Sequence, residues 1–145
     1  MSEYTIPDEC FYRISIKALV LNEARDAFLI TQEESGKWEL PGGGLDWGET
    51  PQSDLPRELQ EEMGVTASWI AEYPAYFLTV PHESKPGLWV CNVLYETTLT
   101  HLDFTPSDEC IAVDWINRDN ADRFDLFPNV GKLLELFDPQ RHITT

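Results

Sequence analysis

Leu40 to Val65 reads LPGGGLDWGETPQSDLPRELQEEMGV, a glycine triplet followed by an acidic segment with helical periodicity. Gly42-Gly43-Gly44 disfavours both helix and regular strand, so unusual backbone angles are expected there, and backbone without side chains can approach a ligand. Glu49 to Val65 is the strongest helical region of the chain. At about 100° per residue, Leu55, Leu59 and Met63 form a stripe for the core, while Glu58, Glu61 and Glu62 crowd an arc of roughly 100° beside it. Acidic side chains three and four residues apart repel. No lysine lies between Lys37 and Lys85 to relieve them, and Arg57 is the one positive charge on the segment. Crowded hard oxygen donors suit Mg2+ or Mn2+. The cluster therefore reads as a divalent-cation site, to which a carbonyl freed at Gly43 or Gly42 adds a neutral oxygen.

Two starts are open to this helix. If Thr50 caps it and Pro51 is its first residue, Pro56 falls at the sixth position and forfeits a hydrogen bond to Gln52. If Ser53 caps it, Pro56 sits in the tolerated first turn, and this second start is preferred. Gly64 stands where a helix ends on a left-handed glycine.

Upstream, Phe11 to Leu21 alternates as a strand does, with Ile14, Ile16, Ala18 and Val20 on one face and Arg13, Ser15, Lys17 and Leu19 on the other. Asn22 to Asp26 is a polar turn and Ala27 to Thr31 a returning strand, so a hairpin is expected. Trp38-Glu39-Leu40 is a short extended piece. Downstream, Trp69 to Val80 and Leu88 to Thr98 are rich in aromatic and β-branched residues and flank the turn-rich Pro81 to Gly87. Ile111 to Ile116 is a further strand. Val130, Leu133, Leu134 and Phe137 take helical spacing within Pro128 to Phe137. One sheet with two main helices makes an α/β layered domain.

The length of 145 residues fits a single domain over 1–145. With 26 acidic and 10 basic side chains the formal charge is −16, which argues against a nucleic-acid surface. An anionic substrate on such a chain needs a bridging cation. No apolar run approaches the ~18–20 residues of a membrane span, and Met1 to Cys10 lacks the basic start of a secretory leader. A cytoplasmic protein without membrane or nucleic-acid partner is expected. Cys10, Cys91 and Cys110 read as reduced thiols, and His82, His101 and His142 as structural or surface residues.

Gly43, five residues, Glu49, seven residues, then Arg57-Glu58-Leu59-x-Glu61-Glu62-x-Gly64-Val65: this spacing resembles the Nudix box with every fixed and both hydrophobic positions filled. Pro41-Gly42-Gly43 and the Trp38-Glu39-Leu40 lead-in are also similar to the family. The resemblance implies an α/β/α sandwich, a mixed curved sheet between helices. It also implies a hydrolase that cleaves a nucleoside diphosphate linked to another group, with Mg2+ as cofactor and Mn2+ as a substitute. Glu58, Glu61 and Glu62 match the carboxylates that hold the metal, with backbone from the Gly43 region. Arg57 matches the arginine that orients glutamates, with Glu61 and Glu49 as its expected partners. The base that takes the proton from water is either Glu58 or, on a loop ahead of the last strand, Glu109.

The resemblance leaves the substrate open. Pro81 lies one residue beyond the spacing found in ADP-ribose-hydrolysing members, and the tyrosine associated with dinucleoside polyphosphate enzymes is not evident. Trp47, Tyr76, Phe77 and Trp89 are expected to serve packing, with a base-stacking platform as the alternative. Lys17, Arg13 and Lys85 are the basic residues to examine for outer phosphates, with solvent exposure expected of each. Family members are often dimers, so a homodimer is among the implied partners, although no exposed apolar stripe marks an interface. A nucleotide-binding regulatory module without turnover is the alternative to the hydrolase.

Overall fold

The computed structural model describes residue 5 and residues 11–143; the readings of Met1 to Cys10, including the thiol of Cys10, lie outside the described residues. The elements in chain order are β1 (Tyr12–Leu19), β2 (Phe28–Gln32), β3 (Trp38–Glu39), β4 (Gly42–Gly44), α1 (Pro51–Met63), β5 (Ala67–Ile70), β6 (Tyr76–Pro81), β7 (Trp89–Leu99), β8 (Ala112–Ile116) and α2 (Pro128–Leu136). A mixed sheet runs β4-β1-β7-β5, with β6 also on β7. Its β1–β7 pair is parallel and the others antiparallel. A second, antiparallel sheet runs β3-β2-β8.

Alternation in β1 and β2 sends side chains both ways, which places the helices on opposite sides. Ile16, Ala18 and Leu29 pack with Leu55, Leu59 and Met63 of α1. Leu19, Phe28 and Ile30 pack with Val130, Leu133 and Leu134 of α2. The expected α/β/α layering is present, with two sheets between the helices in place of the single mixed sheet expected, and the Leu55, Leu59, Met63 stripe is fully buried.

Several local expectations are corrected. The expected hairpin is short: Asn22 N donates to the Ala27 carbonyl, Leu29 N donates to the Val20 carbonyl, and Leu21 bridges Phe28. Beyond these bonds the two strands enter different sheets. Ser15 to Val20 is buried along its whole length, and β1 needs the long parallel pairing with β7 to cover it. The glycine triplet is a regular strand paired to Ser15, Ile16 and Lys17, with only Gly42 at positive φ, 132°. The expected Trp69 to Val80 strand is two, β5 and β6, on successive stretches of β7.

The start of α1 is corrected as well. Thr50 caps it through a reciprocal pair, its hydroxyl accepting from Ser53 N and the Ser53 hydroxyl accepting from Thr50 N. Pro51 opens the helix and Pro56 lies inside it. Two satisfied N–H groups at the cap offset the bond that Pro56 cannot donate to Gln52. Pro56→Ala is therefore expected to raise stability by about 1–3 kcal/mol, the restored bond less the lost stiffness of the unfolded chain. Urea denaturation checks this, and an unchanged or lower midpoint contradicts it. At the other end Gly64, at φ 66°, closes the helix through a bond to Gln60, as its sequence position predicts.

An apolar stripe does reach the surface, contrary to expectation. Tyr12 pairs with Trp89 and Phe77 with Val93, so Tyr12, Ile14, Trp89 and Phe77 share one face of the sheet and are all exposed. Periodicity marks this face as inward; α1 is too short to cover its far end. Among the described residues no helix is long and apolar enough to cross a membrane.

Candidate active site on the acidic helix

The three glutamates of α1 occupy graded environments. Glu62 is buried; its carboxylate accepts from Gly42 N at 3.1 Å and from the Thr31 hydroxyl at 3.1 Å. Burial pushes its pKa up to about 7, although Lys17, Gly42 and Thr31 act the other way. Glu58 is half-buried; burial again raises it, with Arg57 opposing. Glu61 is exposed.

Arg57 links them. Its guanidinium donates to Asp54, to Asp46 at 2.9 Å, to Glu61 at 2.9 Å and to Glu58 at 3.2 Å. Glu61 is the partner anticipated. Glu49 is not: it accepts from the Ser53 hydroxyl at 2.8 Å, because capping by Thr50 leaves it just outside the helix. Asp54 takes its place, a buried carboxylate unnoticed in the sequence. Burial pushes Asp54 up, but the Asp46 N–H and the Arg57 guanidinium together hold it below the usual carboxylate range.

The glycine loop lies against these carboxylates. A Cβ on Gly43 would stand 2.6 Å from Glu58 Oε2, so a larger residue there would displace the Glu58 carboxylate from its seat. Glu109 sits on the turn before β8. That turn is tied to α1 by the Ser107 hydroxyl, which donates to the Glu62 carbonyl at 2.7 Å, and Glu109 is close enough to contribute to the raised Glu62 pKa. Glu109 itself is exposed. The structure thus brings Arg57, Glu58, Glu61, Glu62, Gly43 and the Glu109 turn to one region. With Arg57 holding Glu58 and Glu61, no three acidic, histidine or cysteine side chains converge on one point among the described residues. The donors nonetheless suit a hard divalent cation in kind: carboxylate oxygens, one of them buried without an ion-pair partner, beside a side-chain-free backbone.

A cleft of about 320 Å³ lies on the other side of β1, lined by Ser15, Lys17, Glu39, Asn92, Phe127 and Asn129 among others. Lys17 is buried, not exposed as expected; its ammonium donates to the Leu40 carbonyl at 3.3 Å and lies 3.9 Å from Glu39. Arg13 and Lys85 are exposed. None of the four singled-out aromatics lines the cleft: Tyr76 is in the core, Trp47 fully exposed, and Phe77 and Trp89 are exposed on the opposite face of the sheet, the one α1 packs against. The aromatic that does is Phe127. Cys91 and Cys110 are buried free thiols, and burial pushes Cys110 up to about 12. His142 is buried against the Tyr76 hydroxyl at 2.7 Å, and His82 caps a loop through Ser84 N and Lys85 N.

Known proteins resemble this chain in sequence and in fold. The chain is 30% identical over 86 residues to an RNA pyrophosphohydrolase of Ruthia magnifica, covering 52% of this chain and 47% of that protein. It is 29% identical over 115 residues to the 8-oxo-dGTP diphosphatase of Escherichia coli, covering 63% of this chain and 86% of that protein. The crystal structure of a MutT protein from Methanosarcina mazei superposes with a TM-score of 0.74 at 25% identity, over 93% of this chain and 99% of that one. Residues 11–137 match the NUDIX domain, and with its box helix, glycine loop and layered sheets the chain belongs to the NUDIX family.

Proposed function

We propose that the protein hydrolyses a diphosphate bond in a nucleoside diphosphate linked to another group, with Mg2+ or Mn2+ held by Glu58, Glu61, Glu62 and backbone at Gly43. The observation that carries this reading is the seating of Glu58 and Glu62 against the glycine strand, with Glu62 buried and short of positive charge. A divalent cation bound there would neutralise diphosphate oxygens and lower the pKa of a water. The chain's own residues do the rest. Arg57 fixes Glu58 and Glu61 in place. Glu109, with no hydrogen bond or ion pair among the described residues, takes the proton of the attacking water. A new phosphorus–oxygen bond forms to that water and the anhydride bond breaks.

Phosphate release over nucleotide sugars, ADP-ribose, dinucleoside polyphosphates and normal and oxidised nucleoside triphosphates, coupled to phosphatase or pyrophosphatase, tests the reading. Metal-dependent turnover of one class, abolished by chelator, is expected. Silence across the panel with metal binding intact would favour the binding module. Glu109→Gln is expected to lower kcat about a hundredfold and leave metal affinity unchanged. A near-normal kcat would return the base to Glu58.

A further inference from the structure

The cleft beside β1 contains a buried donor that no protein group uses. Asn92 is 1% exposed, and among the described residues its amide nitrogen is the only buried side-chain polar atom without a partner. Its orientation is fixed by a chain of bonds from α2. The Val130 N–H at the helix start donates to Asn129 Oδ1 at 2.9 Å, which turns the Asn129 amide nitrogen toward Glu39 Oε1 at 2.5 Å and Asn92 Oδ1 at 3.2 Å. Asn92 therefore presents oxygen to Asn129 and leaves both N–H groups over. Flipping it would set two amide nitrogens against each other. A buried amide is ordinarily paired, so the free donor marks a place where a ligand atom completes the set.

Its neighbours narrow the ligand. Ser15 pairs with Asn92 across β1 and β7, so Lys17, two residues on, is the diagonal neighbour on the same face and lines the same cleft. Lys17 uses one N–H on Leu40. The hydrogen bonds to the Glu39 carboxylate all fall on Oε1, which leaves Oε2 to accept. Two donors beside one acceptor match a ring carbonyl next to an N–H. A carbonyl oxygen has two lone pairs and can accept from Asn92 and Lys17 together, whereas a ring nitrogen has one in-plane lone pair and cannot. Val80, Val90, Phe127 and Pro128 supply apolar walls for a flat ring.

The geometry points to Asn92 and Lys17, with Glu39, as specificity-determining residues that select a nucleobase bearing a lactam edge, an oxo group beside a ring N–H, over its amino counterpart. This rests on the nucleotide reading proposed above and deepens it. The selection lies in base binding and does not require turnover.

Matched pairs of monophosphates that differ only at this edge test it, IMP against AMP and UMP against CMP, titrated into the full chain and followed by amide nuclear magnetic resonance. The oxo member of at least one pair is expected to bind about tenfold tighter and to shift the Asn92 side-chain NH2 signal. Asn92→Leu is expected to abolish that preference while keeping a cooperative melting transition, since the unpaired donor it removes offsets the one Asn129 N–H it leaves without an acceptor. Lys17→Met, which keeps the stem, should reduce the preference independently. Equal or tighter binding of AMP and CMP, binding of none of the four, or a preference unchanged in Asn92→Leu would each overturn the assignment. An oxo preference in a chain without hydrolase activity would sink the hydrolase reading alone; turnover with no oxo preference would sink this inference alone.

Discussion

Glu62→Gln is expected to lose at least about a hundredfold in turnover while melting no lower than the wild-type chain. Glutamine keeps the shape, and one amide oxygen can still accept from Gly42 or Thr31, so the fold is retained. What it removes is the buried charge. The pH dependence separates these effects. In the metal-free protein Glu62 titrates near 7, above its ordinary 4.5, so between those values the folded chain holds a proton that the unfolded chain releases. The associated stability is fully present below 4.5 and is lost as pH rises through about 7. Wild type should therefore weaken between pH 5 and pH 8 by this contribution, and Glu62→Gln should not. Mg2+ should raise the wild-type melting temperature more at pH 8 than at pH 6, because a proton competes for the same oxygen. Wild-type turnover in the variant would discard Glu62 as a ligand.

Gly42→Ala is expected to cost about 3 kcal/mol or more in stability. At φ 132° the backbone is strained for any L side chain, and a Cβ would run into the Ile16 carbonyl oxygen and stand 2.9 Å from Lys17 Cα. Both obstacles are backbone of β1, which cannot move without unpairing β4. The same strand supplies the N–H that Glu62 accepts, so catalysis should fall with stability. Gly48→Ala is the control. Its φ is 85° but nothing lies within 4 Å of a Cβ there, so only the backbone strain remains, about 1 kcal/mol. Denaturant midpoints that place the two variants together would show that the close approach to β1 does not matter.

The parts of the fold legible in the sequence are those set within one element. The stripe of Leu55, Leu59 and Met63, the arc of Glu58, Glu61 and Glu62, and the glycine end at Gly64 follow from helical geometry alone. Pairing between distant strands does not. Ala27 to Thr31 looks like the return of a hairpin, yet β2 joins β8, more than eighty residues on, because both faces of β1 and β2 must be covered. Gly42 to Gly44 looks like a loop because local propensity ignores the edge of β1 that it pairs with. The helix start is hidden for a similar reason: the penalty at Pro56 is visible locally, whereas the reciprocal bonds of Thr50 and Ser53 that offset it depend on the cap geometry. Lysine is usually solvated, so nothing local marks Lys17 as buried. The signal for the cleft was present but faint: Asn92 interrupts the run Val90-Cys91-Asn92-Val93-Leu94 at an inward position, where a polar residue demands a partner.

The most direct test of the metal-dependent site is a titration of the protein with Mn2+, followed by paramagnetic resonance of the free ion. Wild type and Glu109→Gln are expected to take up Mn2+ alike, and uptake should vanish in the Glu58→Gln, Glu61→Gln, Glu62→Gln triple variant while its melting transition remains cooperative. Undiminished Mn2+ uptake by that folded triple variant would contradict the assignment of these three carboxylates and the reaction proposed to depend on them.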